Sequence, residues 1–140
     1  MAIAEEVRSG QVTEVRGADS LVVAYDGSSH AFRLEGLGVV RGRPALAVRA
    51  EEILRERLVG KTVRLSIRGY VEGGVVPVGA VLVEGKDVRV ALVRRGLVAY
   101  CPRHAVEVSL QGAEREARAA KRGLWADPPS PTSDPCRGAV

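Results

Sequence analysis

The last third of the chain contains two short helical segments, and each is closed by the tripeptide Arg-Gly-Leu. The first is Ala91–Leu97 and the second is Ala119–Trp125. A glycine just past the last turn of a helix adopts the left-handed conformation that ends the helix, and Gly96 fits this position. A fold for this chain must therefore place two short helices after the structure that the first half forms.

The residues before these segments have the periodicity of strands, interrupted by one helix. Side chains repeat with period two in a strand, whereas a helix repeats its apolar residues every three or four positions. Strands are predicted at 10–15, 20–25, 30–37, 62–67 and 75–83, and helices at 46–58, 88–95 and 107–122. This order predicts an α+β fold in which a five-stranded OB-type β-barrel carries one inserted helix and two C-terminal helices.

The length of 140 residues suits a single domain with its own core. Residues 1–9 are predicted to be an N-terminal arm, 10–127 the domain, and 128–140 a proline-rich tail that lacks the apolar residues to order itself. Trp125 is expected to anchor the last helix in the core. A net charge of +4 and a pI near 9.5 are compatible with a polyanionic partner without requiring one.

Two further features concern the compartment. Cys101 and Cys136 match no close-spaced zinc or redox motif, and two free thiols are favoured over a disulfide, which would imply export. No signal peptide and no apolar run of membrane-spanning length is visible, so the cytoplasm is the predicted location.

The two Arg-Gly-Leu segments after a β-rich half resemble the staphylococcal-nuclease-like (thermonuclease) family over about residues 10–127. That family hydrolyses phosphodiester bonds of single-stranded DNA or RNA with calcium. Carboxylates hold the cation, and two arginines neutralise the charge that develops on the phosphoryl oxygens. The family motifs are Asp-Gly-Asp-Thr at the first hairpin, an Arg on the third strand, Asp-x-Pro-Glu five residues later, and a second Arg in Tyr-Gly-Arg.

The resemblance implies a site that has lost most of these groups. Asp19 takes the place of the first metal ligand, and Arg33 takes the place of the first arginine. The second metal carboxylate is replaced by Gly38, the general base by Arg41, and the second arginine by Val76. No catalytic residue, metal or cofactor is therefore expected.

Calcium would be bound only if Asp19 found a second carboxylate. Glu35, two residues after Arg33 and on the same strand face, and Glu14 are the candidates. Two plainer interpretations stand beside this one: Asp19 is a turn residue that bonds its own backbone, and Arg33 is an ordinary strand arginine with a buried stem.

Basic residues near the barrel and on the C-terminal helices are candidates for phosphate binding. They are Arg33, Arg41, Arg43, Arg118, Lys121 and Arg122. Acidic residues are interspersed with them on the last helix, so a solvated face of mixed charge is the competing interpretation.

The leading hypothesis is a catalytically degenerate nuclease-like domain that serves as a non-enzymatic accessory or structural subunit of a larger protein assembly. A module that binds single-stranded nucleic acid is the first alternative, and a weak calcium-dependent phosphodiesterase is the second. A protein partner is expected, nucleic acid is the alternative partner, and no membrane span is predicted.

Overall fold

The computed structural model describes residues 5–129 and 134–140. Its strands are β1 Glu6–Gly17, β2 Ser20–Tyr25, β3 Ser28–Leu34, β4 Leu37–Gly38, β5 Thr62–Val71, β6 Val76–Val83, β7 Lys86–Asp87 and β8 Ala99–Tyr100. Its helices are α1 Pro44–Leu58, α2 Val88–Arg94 and α3 Val108–Ala119, and a 3-10 turn follows at Gly123–Trp125.

Five of the strands form a closed barrel. They run in the order β3-β2-β1-β5-β6 with antiparallel neighbours. The barrel closes where β3 and β6 pair in parallel, at Arg33 with Val78 and at Leu34 with Gly79. A closed barrel leaves no long unpaired edge. The predicted α+β fold, a five-stranded OB-type barrel with three helices, is confirmed.

The periodicity of the sequence explains how the core is filled. Leu21 and Val23 of β2 alternate inward, and Phe32 of β3 is fully buried beside them. In α1 the buried residues are Ala50, Ile53, Leu54 and Leu58, whose spacing places them in one apolar stripe along the helix. Among the described residues, none of the helices is both long and apolar enough to cross a membrane.

The two Arg-Gly-Leu segments lie directly against each other. The Leu124 amide donates a hydrogen bond of 2.8 Å to the Gly96 carbonyl. A Cβ atom added to Gly96 would lie 2.1 Å from the Arg122 carbonyl oxygen, and one added to Gly123 would lie 2.5 Å from the Gly96 oxygen. Glycine is therefore required at both positions by the close approach of the two backbones.

Some boundaries differ from the prediction. Strand β1 begins at Glu6, so residues 6–9 of the predicted arm pair with β5. Strand β3 ends at Leu34 because Gly36, with φ of +75°, turns the chain into β4. Helix α3 ends at Ala119, and the left-handed Lys121, with φ of +53°, leads into the 3-10 turn.

The C-terminal residues fold back onto the domain. Cys101 and Cys136 form a disulfide, so the prediction of two free thiols is wrong. Cys136 and Ala139 pack against the buried cluster that contains Trp125, whose predicted role as a core anchor agrees with its burial. The proline-rich segment 130–133 lies outside the described residues. For 134–140, which we call the docked tail, the expected flexibility does not fit these contacts.

Candidate functional site

The sequence-predicted remnants Asp19 and Arg33 lie together in one cavity of about 290 Å³, the Asp19 cavity. Asp19 sits in the turn between β1 and β2, and its neighbour Ser20 pairs with Arg33 across β2 and β3. The Arg33 Nη2 atom lies 2.7 Å from the Asp19 Oδ2 atom. The Arg33 Nε atom is buried and has no hydrogen-bond partner in the described structure. The Asp19 carboxylate is therefore already neutralised by a charge-assisted hydrogen bond.

The docked tail reaches the same cavity. Arg137 and Gly138 contribute to its lining, and the Gly36 amide donates a hydrogen bond of 2.8 Å to the Val140 oxygen. At Gly38 an added Cβ would lie 2.1 Å from the Pro135 carbonyl oxygen. Gly38 is the residue predicted to replace the second metal carboxylate, and the space beside it is thus filled by the chain's own backbone.

The other two positions matched to the family motifs hold residues of different character. Arg41 is exposed in the segment between β4 and α1 and forms no ion pair within the described residues. Val76 opens β6 and is buried. A buried valine has no charge to offer a phosphoryl group, and an arginine side chain has hydrogen-bond donors but no acceptor with which to take a proton from water. Neither side chain can therefore perform the role that the family motif assigns to its position.

The carboxylates proposed to join Asp19 lie elsewhere. Glu14 is exposed beside Arg16. Glu35 lines a separate cavity of about 250 Å³, the Glu35 cavity. Glu51 of α1, which no sequence motif singles out, also lines the Asp19 cavity. Within the described residues, no group of three His, Cys, Asp or Glu side chains is placed to hold a metal ion.

A network of ion pairs surrounds the Glu35 cavity. The Arg68 Nη1 atom lies 2.6 Å from the Glu107 Oε1 atom and 3.3 Å from the Glu35 Oε1 atom. His104 contributes a partly exposed ring, with its Nε2 atom 3.8 Å from the Glu35 Oε2 atom. The side chain of Glu35 is only 8% exposed, so its pairing with Arg68 is what makes its burial tolerable.

Arg89 completes this network and is fully buried. Its guanidinium donates to the carboxylates of Asp87 and Glu107 and to the Glu35 carbonyl oxygen. Burial by itself lowers the pKa of Arg89, but the hydrogen bonds that it donates to Asp87 and Glu107 raise that pKa well above its ordinary value. Burial acts to raise the pKa of Glu107, but the hydrogen bonds and charges of Arg89 and Arg68 outweigh this effect and lower that pKa. Arg89 and Glu107 are therefore both charged at neutral pH.

The basic residues that were candidates for phosphate binding do not form one surface. Arg43 binds the Asp127 carbonyl. Arg118 covers the Trp125 ring with its guanidinium carbon 3.9 Å from the ring centroid, and Arg122 bonds the Arg94 carbonyl. Of the six candidates, only Arg33 lines the Asp19 cavity. The structure therefore does not gather them around the site.

Comparison with known families agrees with the fold. A family model described as "Staphylococcal nuclease homologue" matches residues 43–127, more than half of the chain. The matched range contains α1, β5, β6 and both C-terminal helices, whereas Asp19, Arg33, Gly38 and Arg41 precede it. The correspondence of those four residues therefore depends on the motifs alone. No curated protein matches the chain.

Proposed function

Because the chain belongs to the staphylococcal nuclease homologue family, we propose that it is a catalytically degenerate member. We propose further that it acts as a non-enzymatic accessory or structural subunit of a larger protein assembly. The family fold supplies a barrel with grooves for a partner, and these grooves remain when the catalytic groups are absent.

The packing of the docked tail against Gly38 is the observation that carries this proposal. A side chain at Gly38 would collide with the Pro135 carbonyl, so no carboxylate can extend from there while the tail is in place. Hard cations such as calcium take six to eight oxygen ligands, several of them from carboxylates. Asp19, bound to Arg33, and Glu51 are the acidic side chains among the residues that line the cavity.

The first test is a cleavage assay with single-stranded DNA and RNA in the presence of calcium. We expect the wild-type protein to cleave neither substrate faster than the Asp19→Ala variant, because Asp19, which is paired with Arg33, and Glu51 are too few carboxylates to assemble the metal site. Glu51→Gln serves as a second comparison, since Glu51 shares the cavity. Cleavage that disappears on chelation and in both variants would identify a weak phosphodiesterase and refute the proposal.

The second test concerns the partner. The full-length protein is recovered from native cells in mild salt, with and without nuclease treatment. We expect a defined set of proteins to remain bound after nuclease treatment. Recovery of nucleic acid that is lost as salt is raised would favour the single-strand-binding alternative, because phosphate contacts release counterions and weaken steeply with salt.

The compartment is a separate question. The cytoplasmic location stays a prediction, and the Cys101–Cys136 disulfide is the observation against it, since structural disulfides persist mainly in oxidising compartments. We therefore propose an oxidising environment for the folded protein.

A further inference from the structure

A second concave surface lies beside α2, and it shares no lining residue with the Asp19 cavity. It lies between the end of α1, the β6–β7 turn and the outer face of α2, and has a volume of about 470 Å³. We call it the basic groove. Its cationic side chains are Arg57, Lys86, Arg94 and Arg95, and its apolar residues are Leu82, Val90 and Ala91.

The positive charge of the basic groove is largely uncompensated. Arg94 pairs with Glu116, with 2.7 Å between Nε and Oε2. For Arg57, Lys86 and Arg95, no carboxylate of the described residues lies within ion-pair distance. A cleft lined by one sign of charge concentrates its field and attracts ligands of the opposite sign.

The one carboxylate in the groove does not offset this charge. Asp87 accepts hydrogen bonds from the Arg89 Nε and Nη2 atoms and from the Arg89 backbone amide. The buried Arg89 guanidinium, which Asp87 shares with Glu107, therefore offsets part of this negative charge, and four cationic side chains outnumber Asp87 among the lining residues.

The apolar part of the groove narrows the choice of partner. Leu82, Val90 and Ala91 are only half-buried, so they leave apolar surface that a ligand can cover. Nucleic acid would meet the cationic rim. Among the described residues, however, no aromatic side chain lines the groove to stack a base, as the aromatic side chains of single-strand binders do. An acidic peptide with interspersed apolar side chains complements both the charge and the apolar surface.

We infer that the basic groove is the docking site for an acidic, partly apolar segment of a partner protein. This inference rests on the proposed role in a protein assembly, and it names the chemistry of the contact. The segment places carboxylates against Arg57, Lys86 and Arg95 and apolar side chains over Leu82 and Val90.

The test is fluorescence anisotropy of the full-length protein with a labelled synthetic peptide of alternating Glu and Leu. The groove variant carries Arg57→Glu and Lys86→Glu. The matched control carries Arg55→Glu and Lys61→Glu, which makes the same charge change at exposed positions outside the groove. We expect the groove variant to bind the peptide at least about tenfold more weakly than the wild type, and the control to stay within about twofold.

The design also includes a second peptide, a measurement of folding and a single-stranded oligonucleotide. A peptide with Ser in place of Leu should bind more weakly to the wild type, because it cannot cover the apolar residues. Thermal unfolding establishes that both variants are folded. Absence of saturable binding, or equal weakening in the groove variant and the control, would overturn the inference, as would preferential binding of a single-stranded oligonucleotide by the groove.

Failure here is distinguishable from failure of the proposed function. If native partners that resist nuclease treatment are recovered equally well by the wild type and the groove variant, the groove is not the docking site, although the assembly role stands. If the wild type recovers no such proteins, the proposed function itself fails. Loss of those partners in the groove variant alone supports both.

Discussion

At the scale of single residues, the largest fully buried side chain in the described structure is the charged Arg89. Burying a charge is costly unless it is paired and hydrogen-bonded, and removing one partner of such a pair destabilises strongly. Asp87 and Glu107 satisfy this guanidinium, and Glu107 also binds Arg68. The fold therefore requires these ion pairs, and we expect the free energy of unfolding to depend on pH through them.

Glu107 provides the pH prediction. Its pKa in the folded protein lies below the ordinary value of 4.5, so the ionised form stabilises the fold above that pH. This contribution is lost as the pH falls through the folded-state pKa. We expect Glu107→Gln to lower the free energy of unfolding by about 2 kcal/mol at pH 7, within the range for hydrogen bonds to charged groups. The Glu107 side chain is partly exposed, so we expect no larger effect. The difference from wild type should shrink below pH 4.5.

The measurement is denaturant unfolding from pH 7 downward for the wild type, Glu107→Gln and Glu116→Gln. Glu116 is the matched control because it forms an exposed ion pair with Arg94. Its loss should change stability by no more than about 1 kcal/mol. A Glu107→Gln deficit that is independent of pH would show that the carboxylate charge is not what stabilises the network. Glu35 and Asp87 face the same arginines and are left unchanged in all three proteins.

At the scale of elements, the contact between the two Arg-Gly-Leu segments explains why each of them contains a glycine. The sequence predicts that both helices end near glycines, because that signal is local. It does not predict that the two turns touch, since the contact joins residues far apart in the chain. The structure adds that Gly96 and Gly123 are required by each other's backbone, with the Leu124 amide bonded to the Gly96 carbonyl.

Replacement of Gly96 tests this contact. We expect Gly96→Ala to lower the free energy of unfolding by about 2–4 kcal/mol, because a Cβ would meet the Arg122 carbonyl and because alanine is strained at φ of +69°. Gly112 is the matched control: it lies within α3, and outside its chain neighbours and the backbone of its own helix no atom of the described residues lies within 4 Å of its added Cβ. Gly112→Ala should raise stability by about 0.5–1 kcal/mol. Denaturant titration of both variants decides, and equal effects would exclude a specific contact at Gly96.

At the scale of the whole molecule, local sequence patterns predict the barrel and the helices. They do not predict contacts between residues that are far apart in the chain. Period-two alternation and the apolar stripe of α1 are properties of neighbouring residues, so the sequence contains them directly. The position of Glu51 beside Asp19 depends on how α1 packs on the barrel. The pairing of Glu35 with Arg68 depends on the meeting of separate strands. Neither of these two contacts produces a periodic pattern in the sequence.

The docked tail is the clearest of these long-range features. It belongs to the tail 128–140, whose proline-rich composition predicts disorder because such segments bury little apolar surface. The Cys101–Cys136 disulfide joins residues separated by 35 positions and holds the tail over Gly38. Closing a loop of that length in the unfolded chain is worth roughly 3–4 kcal/mol in the chain-entropy model. The tether therefore supplies the stability that the composition of the tail lacks.

Reduction of the wild-type disulfide tests this account. We expect it to lower the free energy of unfolding by up to about 3–4 kcal/mol. It should also accelerate hydrogen exchange at the Gly36 amide, which bonds the Val140 oxygen. The Leu34 amide, bonded to the Asp19 carbonyl within the barrel, is the internal control and should lose less protection than Gly36 does. If Gly36 loses no more protection than Leu34 on reduction, packing alone holds the docked tail over Gly38, and the disulfide stabilises the protein only as a whole.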